Sequence, residues 1–138
     1  MRFQGKLSKV GNYWAVDVPI LGVATQGRTR KEAFEMIRDA IELLAGRHGF
    51  EVQVFPGTEG YFEVGSADHG TLGALLLKRV RTRSGLTLAQ VTQRLGARSL
   101  NAYARYEQGR CAPTLPKLLE LLSAAAGAPD FVLSESHV

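Results

Sequence analysis

Asn101 and Arg105 have side chains whose chemistry suits the reading of nucleic-acid bases. They lie four positions apart, so a helix would place them on one face. In the DNA major groove Asn can form two hydrogen bonds to adenine, and Arg can form two to guanine. Arginines beside them would bind phosphates, which adds affinity rather than sequence choice. The candidate DNA contacts are Arg94, Arg98, Ser99, Asn101, Ala102, Tyr103, Arg105 and Arg110.

Two residues of this segment have a second interpretation, which is structural. Tyr103 and Tyr106 are three apart and are expected to fill the core, although the Tyr103 hydroxyl could reach a phosphate. Glu107 is the one acid in a basic stretch. We expect it to pair with a nearby arginine or to accept hydrogen bonds from loop amides around Gly109, rather than to read a base.

The charge of the chain is divided unevenly along its length. Residues 78–117 hold nine Lys and Arg against the single acid Glu107, a net of +8 from nine less one. Residues 1–66 hold eight Lys and Arg and eight Asp and Glu, so they are neutral. The whole-chain charge of +4 conceals this asymmetry. A cationic half predicts a polyanionic partner for that half.

The elements that must position Asn101 and Arg105 are two short helices, predicted at 87–95 and 99–107. Apolar residues at helical spacing end at Gly96, which is typical of a helix C-terminus. Ser99 is expected to cap the second helix, which closes before Gly109. Two helices joined by so short a turn predict a helix-turn-helix, whose second helix lies in the major groove.

Two further helices are predicted around this pair, at 71–84 and 113–126. The residues expected to face the core are Leu72, Leu75, Leu76 and Val80 in the first, and Leu115, Leu118, Leu119 and Leu122 in the second. Together the four helices predict an all-α DNA-binding domain at residues 71–127. A short, small and polar segment at 65–70 is the expected linker to what precedes it.

The first half predicts a small antiparallel sheet with one helix. Strands are expected at 2–10, 12–18, 23–26, 51–55 and 61–64. Between the third and fourth strands, Thr29 and Glu32 form a capping-box pattern that begins a helix, and Gly46 ends it. The apolar stripe of this helix is Ala33, Phe34, Ile37, Ala40, Ile41 and Leu44. The whole chain is therefore predicted to be α+β, with a first domain at residues 1–66.

Catalysis is not expected from these residues. Metal-dependent nuclease chemistry needs clustered carboxylates, and here Asp17 lies on a strand while the other candidate acids lie on a helix. The three His are scattered, and the one cysteine, Cys111, excludes a Cys-rich metal site. We expect no metal and no cofactor. No segment reads as a signal peptide or membrane span, so we expect a cytoplasmic protein.

The second half resembles the Xre/Cro family of lambda-repressor-like domains. In that family the third helix is followed by Glu, any residue and Gly, and then by Pro; the matching residues are Glu107, Gly109 and Pro113. The resemblance covers residues 72–122. Residues 95–109 are one longer than in ordinary members, so the turn before the third helix is altered. The resemblance implies a dimer, or a higher homo-oligomer, that binds an inverted repeat.

With its first half included, the chain resembles HicB antitoxins. That family shows a TQG-x-T-x-x-EA segment before a helix, matched here by Thr25, Gln26, Gly27, Thr29, Glu32 and Ala33. The resemblance implies that the first domain is a partial RNase H-like fold covering HicA, an mRNA-cleaving toxin. It also implies that the second domain represses the protein's own operon. The residues expected to contact the toxin are Tyr13 and Trp14, as an aromatic anchor, and Glu32, Glu35 and Asp39.

Two alternatives stay open from sequence. The chain could be an Xre-type transcriptional regulator whose first domain only oligomerises or senses a small ligand. The neutral charge of residues 1–66 suits either function. A weaker alternative is a degenerate RNase H-like enzyme, whose metal-dependent nuclease activity would be lost on Asp17→Ala.

Overall fold

The computed structural model describes residues 1–126 and 131–138. These form two compact units, which we call unit 1 (Met1–Asp68 with Glu135–Val138) and unit 2 (His69–Ser134). Five antiparallel strands and, in the described residues, five helices make the chain α+β, which confirms the predicted class. The predicted end of the second domain, at residue 127, lies outside the described residues. None of the helices in the described ranges is long and apolar enough to cross a membrane.

Unit 1 is a five-stranded sheet with one helix on one face. Its elements are β1 (Arg2–Val10), β2 (Tyr13–Val18), β3 (Val23–Gly27), α1 (Arg30–Ala45), β4 (Gln53–Pro56) and β5 (Tyr61–Gly65). The strand order is β3-β2-β1-β5-β4. Alternate residues of β1, such as Phe3 and Leu7, are buried, as the period of two in a strand requires. Val16 and Val18 of β2 are buried on the same side.

Helix α1 begins and ends where its capping residues predict. The Thr29 hydroxyl accepts from the Glu32 amide at 3.0 Å, and the Glu32 carboxylate accepts from the Arg28 amide at 2.8 Å. Gly46 ends the helix in the left-handed region, with φ of 58°. The predicted stripe is buried at Ala33, Ile37 and Ile41, whereas Leu44 in the last turn is about half exposed.

Gly27 lets the end of β3 approach the start of α1 closely. A Cβ at this position would lie 2.3 Å from the backbone nitrogen of Ala33, far inside contact distance. Gly27 also pairs across the sheet with Trp14 on β2. Glycine is therefore required at this position, where the end of β3 leads into α1.

The C-terminal residues Glu135–Val138 belong to unit 1, which the sequence pattern did not predict. The Ser136 hydroxyl donates to the Glu63 carboxylate at 2.6 Å. Arg2 donates to the same carboxylate oxygen at 3.2 Å, and its guanidinium lies 3.5 Å from the centroid of the Phe55 ring. These contacts hold the C-terminus against β1, β4 and β5.

Unit 2 is made of helices. They are α2 (His69–Arg83), α3 (Leu88–Arg94), α4 (Asn101–Glu107) and α5 (Leu115–Ala126). The predicted inward residues of α2, Leu72, Leu75, Leu76 and Val80, are all buried.

The predicted register of α5 is wrong in part. Leu115 and Leu119, predicted to face inward, are at least half exposed, and the buried residues are Leu121, Leu122 and Ala125. Leu118 is half-buried. Lys117, Glu120 and Ser123 mark the polar side of α5, whereas Leu115 and Leu119 lie at the edge of its apolar side, where spacing alone does not determine burial.

Candidate nucleic-acid interface

Helix α3, which precedes the turn to α4, is capped at both of its ends. Thr87 and Gln90 form a capping box at the start of α3. At its end, the amide of Gly96 donates to the Gln93 carbonyl, and the amide of Ala97 donates to the Thr92 carbonyl. This is the Schellman arrangement, and Gly96 supplies its left-handed residue with φ of 68°. The prediction that α3 closes at Gly96 is confirmed.

The start of α4 differs from the prediction. Ser99 does not cap the helix: its hydroxyl accepts from the Asn101 amide at 3.3 Å, and Leu100 occupies the N-cap position without a side-chain bond. The helix therefore begins at Asn101, two residues later than expected. Ser99 remains exposed beside its first turn.

Asn101 and Arg105 are exposed on one face of α4, as their spacing predicts. Ala102 lies next to them and is half-buried. The opposite face carries Tyr103 and Ala104 into the core. We call the face with Asn101 and Arg105 the exposed row. It is the part of α4 that can reach the base edges in a DNA groove.

Tyr103 is a core residue, so its assignment as a DNA contact is wrong. It is fully buried, and its hydroxyl donates to the Leu77 carbonyl of α2 at 3.4 Å. Burial raises the pKa of Tyr103 far above its usual range, and the nearby negative charge of Glu107 raises it further. The structural interpretation of this tyrosine is the correct one.

Glu107 pairs with Arg81, which confirms the expectation of a structural role. The Arg81 guanidinium donates to the two carboxylate oxygens at 2.8 and 2.5 Å, and also to the Leu86 carbonyl at 2.9 Å. The side chains of Arg81 and Glu107 are only 14% and 7% exposed. Hydrogen bonding to Glu107 raises the pKa of Arg81 despite its burial. The pair fastens α4 to α2.

The predicted phosphate contacts occupy different surroundings. Arg98 and Arg110 are exposed just before and just after α4. Arg94, at the end of α3, donates to the Ala124 carbonyl of α5 at 3.4 Å, so its guanidinium leans toward α5. All three remain predicted DNA contacts, with Arg98 and Arg110 nearest to α4 in sequence.

Two further residues near the exposed row were not among the predicted DNA contacts. Gln108 is exposed and follows Arg105 by three positions, and a Gln amide suits adenine as well as an Asn amide does. Leu100 is an exposed apolar residue just before Asn101, which suits a thymine methyl group. The i, i+3 spacing from Arg105 was the available signal for Gln108.

The residues expected to contact a toxin do not form one anchor. Tyr13 and Trp14 are neighbours on β2 and therefore point to opposite faces of the sheet. Trp14 lies on the α1 side, where the Arg30 guanidinium is 5.5 Å from its ring centroid. Tyr13 is exposed on the other side. The aromatic pair is thus split.

The three predicted acids lie on α1, but each interacts with a neighbouring group. The Glu32 carboxylate accepts a hydrogen bond from the Arg28 amide just before the helix. Lys31 is 4.0 Å from Glu35, and Arg38 is 3.1 Å from Asp39. Because these ion pairs are largely exposed, each contributes little to stability.

Asp17 is separated from the acids of α1 by the sheet. Its neighbours Val16 and Val18 point toward α1, so Asp17 lies on the outer face, opposite Lys6 in the register of β1 and β2. Within residues 1–126 and 131–138, no three His, Cys, Asp or Glu side chains are grouped closely enough to hold a metal ion.

Comparison with known protein families identifies unit 2. Residues 72–131 match the family model described as a helix-turn-helix domain. No curated protein matches the chain. The chain therefore contains a helix-turn-helix domain, which implies DNA binding, with transcription regulation as its plausible consequence.

Proposed function

We propose that this protein is a HicB-type antitoxin. In this proposal unit 2 binds the operator of its own operon, and unit 1 neutralises a HicA-like toxin that cleaves mRNA. The observation that carries the proposal is the combination of two parts in one chain. A strand-rich unit with the Thr25–Gln26–Gly27 segment before a capped helix is joined to a helix-turn-helix domain.

The DNA-binding half follows from the exposed row on α4. We assign base reading to Asn101, Arg105 and Gln108, and phosphate binding to Arg98 and Arg110. The four helices are assigned to the lambda-repressor-like class. Such a domain acts as a dimer on an inverted repeat whose half-sites lie one helical turn, or a multiple of it, apart.

The toxin-binding half rests on the architecture and charge of unit 1. We assign its sheet and helix to a partial RNase H-like fold that binds protein rather than cleaving RNA. Asp17 and the α1 acids lie on opposite sides of the sheet, which supports a binding role over metal-dependent cleavage. A toxin that acts on RNA is expected to be basic, and unit 1 lacks the cationic excess that would repel it.

The experiment is a growth assay with the neighbouring gene. A gene beside this one that encodes a basic protein of under about a hundred residues is expressed alone and then together with this chain. The proposal predicts arrested growth in the first case and recovery in the second. It also predicts that this chain represses a reporter driven by its own promoter. Arrest without recovery would contradict the antitoxin function while leaving repression intact.

A second function is favoured by a groove in unit 1. Lys31, Phe34, Glu35 and Arg38 of α1 line an open cleft together with Val52, Gln53 and Val54, the last two of which lie in β4. An aromatic ring bordered by charged groups of both signs suits a small polar ligand. In that case the protein is an Xre-type regulator that senses a ligand, and the growth assay shows neither arrest nor recovery.

A further inference from the structure

Helix α1 carries a second apolar row that the packing of unit 1 leaves largely exposed, although Ala40 in its middle is half-buried. Met36, Ala40 and Leu43 follow one another at i, i+4 and i+7, and Leu44 adjoins them. Met36 is 44% exposed, and Leu43 is 83% exposed. At about 100° per residue, this row lies about a quarter turn from the buried residues of the helix. We call it the Met36–Leu43 row.

The fold gives no reason for this row to be apolar. The sheet is covered by Ala33, Ile37 and Ile41, which are fully buried. Leu43 protrudes into solvent next to Met36, although a polar residue would serve the helix equally well at either position. Contiguous exposed apolar side chains on one helix are typical of a surface that another protein covers.

The charges beside the row indicate which protein that is. Glu32, Glu35 and Asp39 border the Met36–Leu43 row on its solvent side, and the cations Lys31 and Arg38 lie farther round the helix. Two copies of this chain packed antiparallel through the row would bring these acidic borders together, which is unfavourable. A partner with an apolar centre and a basic rim is complementary to both features.

We infer that the Met36–Leu43 row is the docking site of a basic partner protein, with Leu43 at its centre and Glu35 and Asp39 at its rim. This inference rests on the proposed function, in which the basic partner is the toxin. It replaces the split pair Tyr13 and Trp14 as the apolar anchor. It retains the acids of α1 as the electrostatic border.

The test uses the full chain and the purified product of the neighbouring gene as the probe. Leu43→Lys should weaken binding at least tenfold, because it places a cation at the apolar centre of the contact. Asp39→Lys should slow association and reduce the dependence of the affinity on salt. The matched control is Val10→Lys, at an exposed apolar residue of the β1–β2 hairpin away from α1, which should bind within twofold of wild type.

The outcomes separate the two proposals. If the wild-type chain binds the probe and Leu43→Lys binds equally well, this docking site is refuted while the antitoxin function stands. If the wild-type chain does not bind the probe, the antitoxin function fails and the docking site fails with it. If sedimentation shows that Leu43→Lys instead turns a dimer into a monomer, the row pairs two copies and the inference is overturned.

Discussion

Arg81 and Glu107 form a two-pronged ion pair between α2 and α4, with nitrogen–oxygen distances of 2.5 and 2.8 Å. Glu107 closes the helix that presents Asn101 and Arg105, and Arg81 also holds the Leu86 carbonyl just before α3. One guanidinium therefore joins three elements of the helix-turn-helix domain. The orientation of the proposed DNA-reading face of α4 therefore depends on a largely buried contact with α2.

Breaking this pair should destabilise unit 2 selectively. Glu107→Gln leaves the buried Arg81 charge unpaired, which costs about 3–5 kcal/mol. Urea unfolding followed by circular dichroism at the helix band reports mainly on unit 2, while fluorescence of Trp14, the one tryptophan, reports on unit 1. The urea midpoint measured by circular dichroism should fall, and the midpoint measured by Trp14 fluorescence should stay unchanged. A double variant, Arg81→Met with Glu107→Leu, should recover part of the loss; if it does not, the cost lies in packing rather than in the unpaired charge.

Arg105 should be distinguishable from Arg98 by the kind of loss its removal causes. Arg105→Ala should weaken operator binding by about 1–3 kcal/mol and relax the preference at one base pair. Arg98→Ala should weaken binding to all sequences and lower the salt slope by about one. Fluorescence anisotropy with operator and scrambled duplexes measures both. The control is Arg28→Ala, an exposed arginine of unit 1. Equal losses on both duplexes for Arg105→Ala would remove it from base reading.

Two glycine-to-alanine substitutions should change the stability in opposite directions. Gly27→Ala puts a methyl group into the backbone of α1 and should destabilise unit 1 by about 1–3 kcal/mol, the usual range for overpacking. Gly73→Ala lies within α2 and meets no atom within 4 Å, so it should stabilise unit 2 by about 0.5–1 kcal/mol. Thermal unfolding read by Trp14 fluorescence and by circular dichroism gives both values. A neutral Gly27→Ala would show that β3 and α1 can move apart.

The Glu63 carboxylate should make the stability of unit 1 sensitive to acid. Burial alone would raise its pKa, but hydrogen bonds from Ser136 and Arg2, with the positive charge of Arg2, outweigh burial and lower it. A lowered pKa in the folded state means that Glu63 contributes stability above its unfolded pKa, about 4.3, and that this is lost as pH falls through the folded pKa. Ser136→Ala should raise the pKa of Glu63, measured by carbon NMR titration of its side chain. An unchanged pKa would mean that Ser136 is not bonded to it in solution.

Local patterns predicted most of the elements and little of their long-range pairing. The Thr29–Glu32 capping box and the Gly96 terminus are encoded within four or five residues, so the sequence specified them. The burial of α5 was predicted only in part, because Leu115 and Leu119 share the apolar side of the helix with Leu122, and the contact with α2 decides which of them is buried. The bond between Ser136 and Glu63 spans 73 positions and has no sequence periodicity to indicate it.

For the candidate site, too, local patterns predicted what helical geometry determines, and long-range packing determined the rest. The spacing of Asn101 and Arg105 correctly predicted one exposed face, because helical geometry alone determines it. Tyr103 had two interpretations from sequence, a core residue and a phosphate contact, and the packing of α4 against α2 selects the first. Two members of the Met36–Leu43 row, Met36 and Leu43, were present in the sequence as apolar residues outside the main stripe, which includes Ala40. Only the structure shows that the other apolar residues of α1 are enough to cover the sheet, so that the row is not needed for folding.

The most direct test of the account is inhibition of RNA cleavage. The purified product of the neighbouring gene is incubated with a labelled mRNA, and this chain is added in increasing amounts. If the antitoxin proposal is correct, cleavage falls to zero near equal molar amounts of the two proteins, because each copy of unit 1 is proposed to cover one toxin molecule. Full cleavage in the presence of excess chain would contradict it.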